Sequence, residues 1–280
     1  MLVNTILIPI MGASVKTLAE MGVGTLEMLT WRAELVLLLL LPFLLKAEHR
    51  AAVRTADIKA HAVHAAFAIA TMACFYFALR TLPLATVTSI NFTTPIFALL
   101  LAHLLFGERV SLSGWLAMGA GFLGTVLILR PDASGIGLDV LVVLVGSILA
   151  AGMNLAVRRM PARSSNFAVV FYLSLFGAIF YALVGGASLT VPTPTEFGLF
   201  LVLGFVALGV HTCVTYSYRF ASSMMIGALD YLRIIWAILI GYLFFFEQPD
   251  LLDLAGIGLI IVSGWVVMRS PKASAPQNAA

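Results

Sequence analysis

Residues 77–112 read FALRTLPLATVTSINFTTPIFALLLAHLLFGERVSL, and residues 216–251 read YSYRFASSMMIGALDYLRIIWAILIGYLFFFEQPDL. Laid over one another without a gap, they match Arg80 to Arg219, Ala98 to Ala237, Phe106 to Phe245 and Glu108 to Glu247. The same offset holds beyond both stretches, where Cys74 meets Cys213, Gly119 meets Gly258 and Arg130 meets Arg269. About ten of the fifty-one positions from 80 to 130 are identical. Apolar composition alone yields several matches, but not paired arginines and glutamates at the ends of apolar runs. The chain reads as a duplication.

Both copies are strongly apolar. Of 280 residues, 61% are hydrophobic and 10% charged, and the mean hydropathy is +1.06. Soluble domains carry about 45–50% apolar and about 25% charged residues, so this is more apolar surface than one water-bathed core hides. The fold class is all-α integral membrane. A spanning helix takes about 20 mostly apolar residues, and ten stretches qualify: 2–19, 25–45, 60–79, 84–106, 112–129, 137–157, 167–186, 197–218, 223–246 and 251–268. Turn or charge signals separate them: GVG at 22–24, Pro83, GER at 107–109, RPDASG at 130–135, RRMPARSS at 158–165 and VPTPTE at 191–196. The N-terminal MLVNTILIPIMGAS lacks the basic region of a signal peptide and reads as the start of the first helix. Residues 270–280 are expected to be a disordered tail.

Ten helices divide into two five-helix halves, 1–135 and 136–269. Because five is odd, the second half enters the bilayer upside down relative to the first. Inverted repeats suit alternating access, since two similar halves of opposite orientation can exchange conformations around a midplane site. Loop charge sets the orientation. Lys46, Arg50, Arg54, Lys59, Arg109, Arg158, Arg159, Arg163, Arg219, Arg269 and Lys272 share one side, and only Arg80 and Arg130 fall on the other. Both termini are therefore expected in the cytoplasm. The same loop placement explains the formal charge of +3 without nucleic acid as a partner. Cys74 and Cys213 lie in apolar runs, with no ligand spacing for a metal and no disulfide framework. No P-loop, HExxH or nucleophile motif is present, and no cofactor is implied.

The stretch ALRTLPLATVTSINFTTPIFALLLAHLLFGERVSLSGWLAMGAGFLGTVLILRP resembles the signature region of EamA-type carriers of the drug/metabolite transporter superfamily. Its marks are Pro95 in helix four, Gly107 and Glu108 at that helix's end, and a Gly-rich fifth helix. The second half repeats it in LFFFEQPDLLDLAGIGLIIVSG, departing at Phe246, where Gly is usual, and at Ile234, where Pro is usual. The resemblance implies a ten-helix carrier of the bacterial inner membrane with both termini inside. The DYLR of residues 230–233 further resembles a bacterial subgroup that includes riboflavin and S-adenosylmethionine carriers.

The candidate site consists of polar residues inside apolar runs. Asp230 and Arg233 stand roughly 10–16 Å into helix nine and share one face. They are read either as a permanent ion pair or as cavity groups, with Arg233 on a substrate anion and Asp230 taking a proton or a cation. Their counterparts in the first half are Asn91 and Thr94. Pro95 is expected to kink helix four there, freeing carbonyls toward a cavity and acting as a hinge. His211, Tyr76, Tyr216 and Tyr231 flank this region, and Trp31 and Trp236 are candidates to stack on a planar substrate. Lys16, Glu20, Arg32 and Glu34 form an expected gate, with Lys16 and Glu20 spaced as an i,i+4 pair; the alternative is a fixed salt-bridge network. The expected partners are a small, charged or zwitterionic metabolite with a planar part, the bilayer, and protons as candidate coupling ion, for a monomer or homodimer. A membrane-embedded enzyme acting on a lipid-like substrate is the alternative.

Overall fold

A computed structural model describes residues 2–54, 57–107, 112–129, 137–158, 165–185, 190–220 and 232–269, with the side chains of 106, 128–129, 157–158, 214–220 and 267–268 outside that set. Among the described residues are twelve α-helices and no strand: α1 Leu2–Glu20, α2 Thr25–Leu40, α3 Ala47–Arg54, α4 Ile58–Ala78, α5 Leu84–Asn91, α6 Thr94–Phe106, α7 Leu112–Leu129, α8 Leu138–Arg158, α9 Asn166–Gly185, α10 Pro194–Phe220, α11 Arg233–Phe245 and α12 Leu251–Arg269. Seven stretches among them are long and apolar enough to cross a membrane, and three shorter apolar helices lie at Leu112–Leu127, Arg233–Phe245 and Leu251–Val266.

Local chemistry sets the helix ends. The Asp57 carboxylate accepts from the Lys59 and Ala60 amides and so caps α4. Thr193 and Glu196 form a reciprocal capping box around Pro194, which starts α10 three residues before the predicted boundary. Asp250 and Asp253 do the same for α12. The predicted basic loop 46–59 is itself partly helical: α3 packs on α9, with His49 stacked on Phe167 at 4.2 Å and the Tyr172 hydroxyl donating to the Val53 carbonyl at 2.9 Å.

Predicted helix four is broken rather than kinked. Pro95 has no amide to give Asn91; α5 ends there, Phe92 and Thr93 turn, and α6 begins at Thr94. The neighbouring Ile90 carbonyl does not open toward a cavity as expected. It accepts from the Thr93 amide and hydroxyl, and from Ser147 of α8 at 3.2 Å. The break is thereby clamped to α8.

Several features recur at the offset that carries Arg80 onto Arg219. α6 spans Thr94–Phe106 and its counterpart α11 spans Arg233–Phe245, and each ends in a left-handed residue, Gly107 at φ 65° and Phe246 at φ 53°. Helix packing follows the same exchange. The α1–α10 contact corresponds to α8–α4, and α2–α10 to α9–α4, while α2–α9 and α7–α12 correspond to themselves. In α7–α12, a Cβ on Gly124 would stand 2.8 Å from the Gly256 carbonyl. The Ser263 hydroxyl donates to the Ala117 carbonyl. Gly124 is the counterpart of Ser263, and Ala117 of Gly256, so the same crossing is built twice from small residues. The main core joins Val15, Leu29, Ala68, Ile90, Val143, Tyr181, Phe200 and Ala237 from eight helices. Leu183, Phe122, Phe205 and Leu38 point outward. An apolar exterior around polar interior positions is what a lipid solvent selects.

Candidate functional site

At one end of the bundle, Lys16 of α1 forms an ion pair with Glu247, which follows α11. Its ammonium group also donates to the Leu82 carbonyl at 3.4 Å and lies 5.2 Å from the centre of the Phe245 ring. The other Glu247 oxygen accepts from the Leu84 amide at 2.9 Å, at the start of α5. One carboxylate thus ties α1 and α5 to the α11–α12 connection, drawing the two sequence halves together. The expected Lys16–Glu20 pair is not formed. Glu20 is exposed and makes no ion pair among the described residues. Lys16 has turned into the bundle, where a carboxylate and a carbonyl replace the water it loses.

Arg32 and Glu34 do not act together. Two residues apart on a helix, their side chains point about 200° apart. Glu34 is exposed and heads an outward stripe with Leu38 and Leu41, whereas Arg32 is buried. The Arg32 side chain enters a cavity between α2, α4, α9 and α10, lined by Met72, Ser174, Tyr181 and His211 among others. One terminal nitrogen lies 3.1 Å from the Met72 sulfur, and Nε has no hydrogen-bond partner. Among the described residues, no carboxylate lies within ion-pairing distance of it.

Around Arg32 and along the adjoining helix α4, the structure gathers groups that the sequence scatters from α2 to α10. The Tyr76 hydroxyl is buried without a partner. Nδ1 of His64 and the Thr71 hydroxyl, both on α4, are buried and unpartnered as well. Tyr181 donates to the Ile69 carbonyl at 2.8 Å. His211 is half-buried, within electrostatic reach of both Arg32 and His64. Of this group, sequence reasoning identifies Tyr76 and His211, places Arg32 in a gate, and misses His64, Thr71 and Tyr181. A polar side chain in the middle of an apolar run is the signal that could have found His64.

The predicted centre on helices four and nine is only partly assembled. Thr94 donates to Asn91 at 3.1 Å across the α5–α6 break, so these two do meet. Arg233 opens α11, buried, with its guanidinium 4.7 Å from the centre of the Phe92 ring at that break. The start of α11 therefore meets the break at the end of α5. Asp230 and Tyr231 lie outside the described residues, as does the side chain of Tyr216. Trp236 is half-buried on α11. One face of Trp31 is taken: it stacks on Phe200 at 5.5 Å, and it meets Phe197 edge-on at 6.4 Å.

Apolar helices enclosing buried, incompletely partnered polar side chains are the build of a membrane transporter. The EamA-like transporter family matches residues 1–130 and 138–269, and the chain belongs to that family. Its relatives include a pseudopaline exporter, CntI, of Pseudomonas aeruginosa, 28% identical and covering 72% of each chain. A riboflavin transporter of Rhizobium johnstonii is 29% identical over 86% of this chain and 80% of its own. An S-adenosylmethionine uptake transporter of Rickettsia prowazekii is 22% identical over 85% of this chain and 80% of its own. One solved crystal structure superposes with a TM-score of 0.65 over 95% of this chain and 94% of that chain, at 20% identity, and so shares the fold. The protein is a small-metabolite transporter.

Proposed function

We propose that the chain is a secondary carrier working by alternating access, built from inverted halves 1–135 and 136–269 in a bacterial inner membrane, with both termini in the cytoplasm. The observation that carries this reading is the exchange of helix contacts under the repeat offset, from α1–α10 and α8–α4 to the self-matching α2–α9 and α7–α12 pairs. Such packing can close at one end while it opens at the other. The Lys16–Glu247 pair belongs to a closed end in this reading, the outer one by loop charge. The start of α11 packs on the α5–α6 break, and a broken helix at that depth is where such a carrier presents backbone groups to solute. The names of the relatives favour a solute with a planar heteroaromatic part, and S-adenosylmethionine among them fits the charged or zwitterionic kind.

Counterflow in proteoliposomes tests the reading. Purified protein is expected to exchange labelled for unlabelled riboflavin or S-adenosylmethionine, or another metabolite from a cell extract, without altering it chemically. Chemical turnover of a lipid with no solute flux would overturn it in favour of the enzyme reading.

A further inference from the structure

We propose that Arg32 anchors a binding site for the anionic group of the transported solute, a carboxylate, which Tyr76 and His211 complete. The proposal rests on the carrier reading and goes beyond it by assigning a residue and a ligand chemistry. Three observations converge on it.

The first is an imbalance of charge. Arg32 is 6% exposed in a membrane helix, its Nε is unpartnered, and one terminal nitrogen meets a thioether. A buried guanidinium without a counter-ion is costly, and a fold keeps one where a partner arrives later. Arginine is also the side chain whose planar fork matches a carboxylate.

The second is the company it keeps. The unpartnered hydroxyl of Tyr76 and the ring of His211 supply donors, and no carboxylate among the described residues competes for them. These are groups that solvate an anion; a cation would find little here.

The third is position. Met72 and His211 both line the cavity that Arg32 enters, and they are counterparts under the repeat offset. A side chain lying between two counterparts lies near the axis that exchanges the halves. α2 and α9, which pack together there, are counterparts too. That axis is where a two-fold carrier presents one site to either side in turn. The space beside Arg32 is about 10 Å³, room for a single water. A carboxylate enters only when α2 and α9 part from α4 and α10, so occupancy is coupled to opening.

The test uses the full chain in lipid nanodiscs, with benzoate and acetate as probes and benzamide and acetamide as uncharged controls. Thermal unfolding is expected to shift upward with the carboxylates, saturably, and not with the amides. Arg32→Met should abolish the shift and, by removing an uncompensated charge, melt above the wild type when no ligand is present. Arg32→Lys keeps the charge without the fork and should bind about tenfold more weakly. No saturable carboxylate shift in the wild type, or an unchanged one in Arg32→Met, overturns the proposal. If Arg32→Met does not fold, wild-type affinity in Arg32→Lys overturns it instead. Flux separates the two readings. Benzoate that binds but exchanges no faster than across protein-free liposomes counts against the carrier, whereas protein-dependent exchange that Arg32→Met leaves intact counts against this site.

Discussion

Lys16 and Arg32 are both cations turned into the bundle, and the fold treats them in opposite ways. Lys16 has a carboxylate, a carbonyl and an aromatic face. Arg32 has a sulfur atom and an orphaned Nε. A cation with its partners supplied is a fastening, and its energy is realised in the closed state. One with no counter-ion among the described residues is, in the proposed site, a receptor whose energy is realised on binding. The first joins the two sequence halves at one end; the second sits where their counterparts converge.

Breaking the fastening should give the largest effect. Glu247→Leu leaves Lys16 and the Leu84 amide without their partner, and both charged side chains are almost enclosed, at 13% and 11% exposure. Losing one member of a buried pair costs about 3 kcal/mol. Melting in nanodiscs should fall accordingly, and Lys16→Met with Glu247→Leu should recover most of the loss. Arg32→Met, by contrast, should melt higher. If both single variants move in the same direction, the two cations have the same role and the distinction collapses.

The α7–α12 contact tests whether the halves also share a part that stays together. Backbone atoms of Gly256 and Ile260 lie 2.8–3.1 Å from where a Cβ on Gly124 would stand, and backbone cannot swing aside as a side chain can. Gly124→Ala should cost about 1–3 kcal/mol by overpacking. Gly119 and Gly258, with open space around them, should tolerate alanine and gain about 0.5 kcal/mol from helix propensity. Equal responses at Gly124 and Gly119 would mean the crossing is looser than its geometry.

How much of the molecule is legible in its sequence follows from the range of each interaction. Apolar runs and the disturbance at Pro95 are properties of neighbouring residues, and the described helices carry both, the expected kink becoming a break. Partners far apart in the chain do not announce themselves. Lys16 looks to Glu20, four residues on, but its partner lies 231 residues away. Arg32 and Glu34 look like members of one gate because they are close in sequence, though helix geometry turns them to different surroundings. Trp31 looks like a stacking platform until Phe200 occupies its face. Asn91 and Thr94 are legible together, since an i,i+3 bond across a break is local.

The smallest effect should come from Phe246, and it bears on the fastening. Its left-handed conformation turns the chain so that the Glu247 amide reaches the Gly241 carbonyl at 3.0 Å and the Glu247 carboxylate folds back toward Lys16. Gly107 makes the corresponding turn in the first half without a Cβ to strain it. In Phe246 that strain runs to about 1–2 kcal/mol, part of which glycine loses again through its freer unfolded chain. Phe246→Gly should therefore stabilise by about 0.5–1 kcal/mol, with its largely exposed ring giving up little packing. Made again in Lys16→Met protein, the same substitution decides how the gain arises. An undiminished gain means relieved strain alone, whereas a loss of the gain means that residue 246 acts by presenting Glu247 to Lys16.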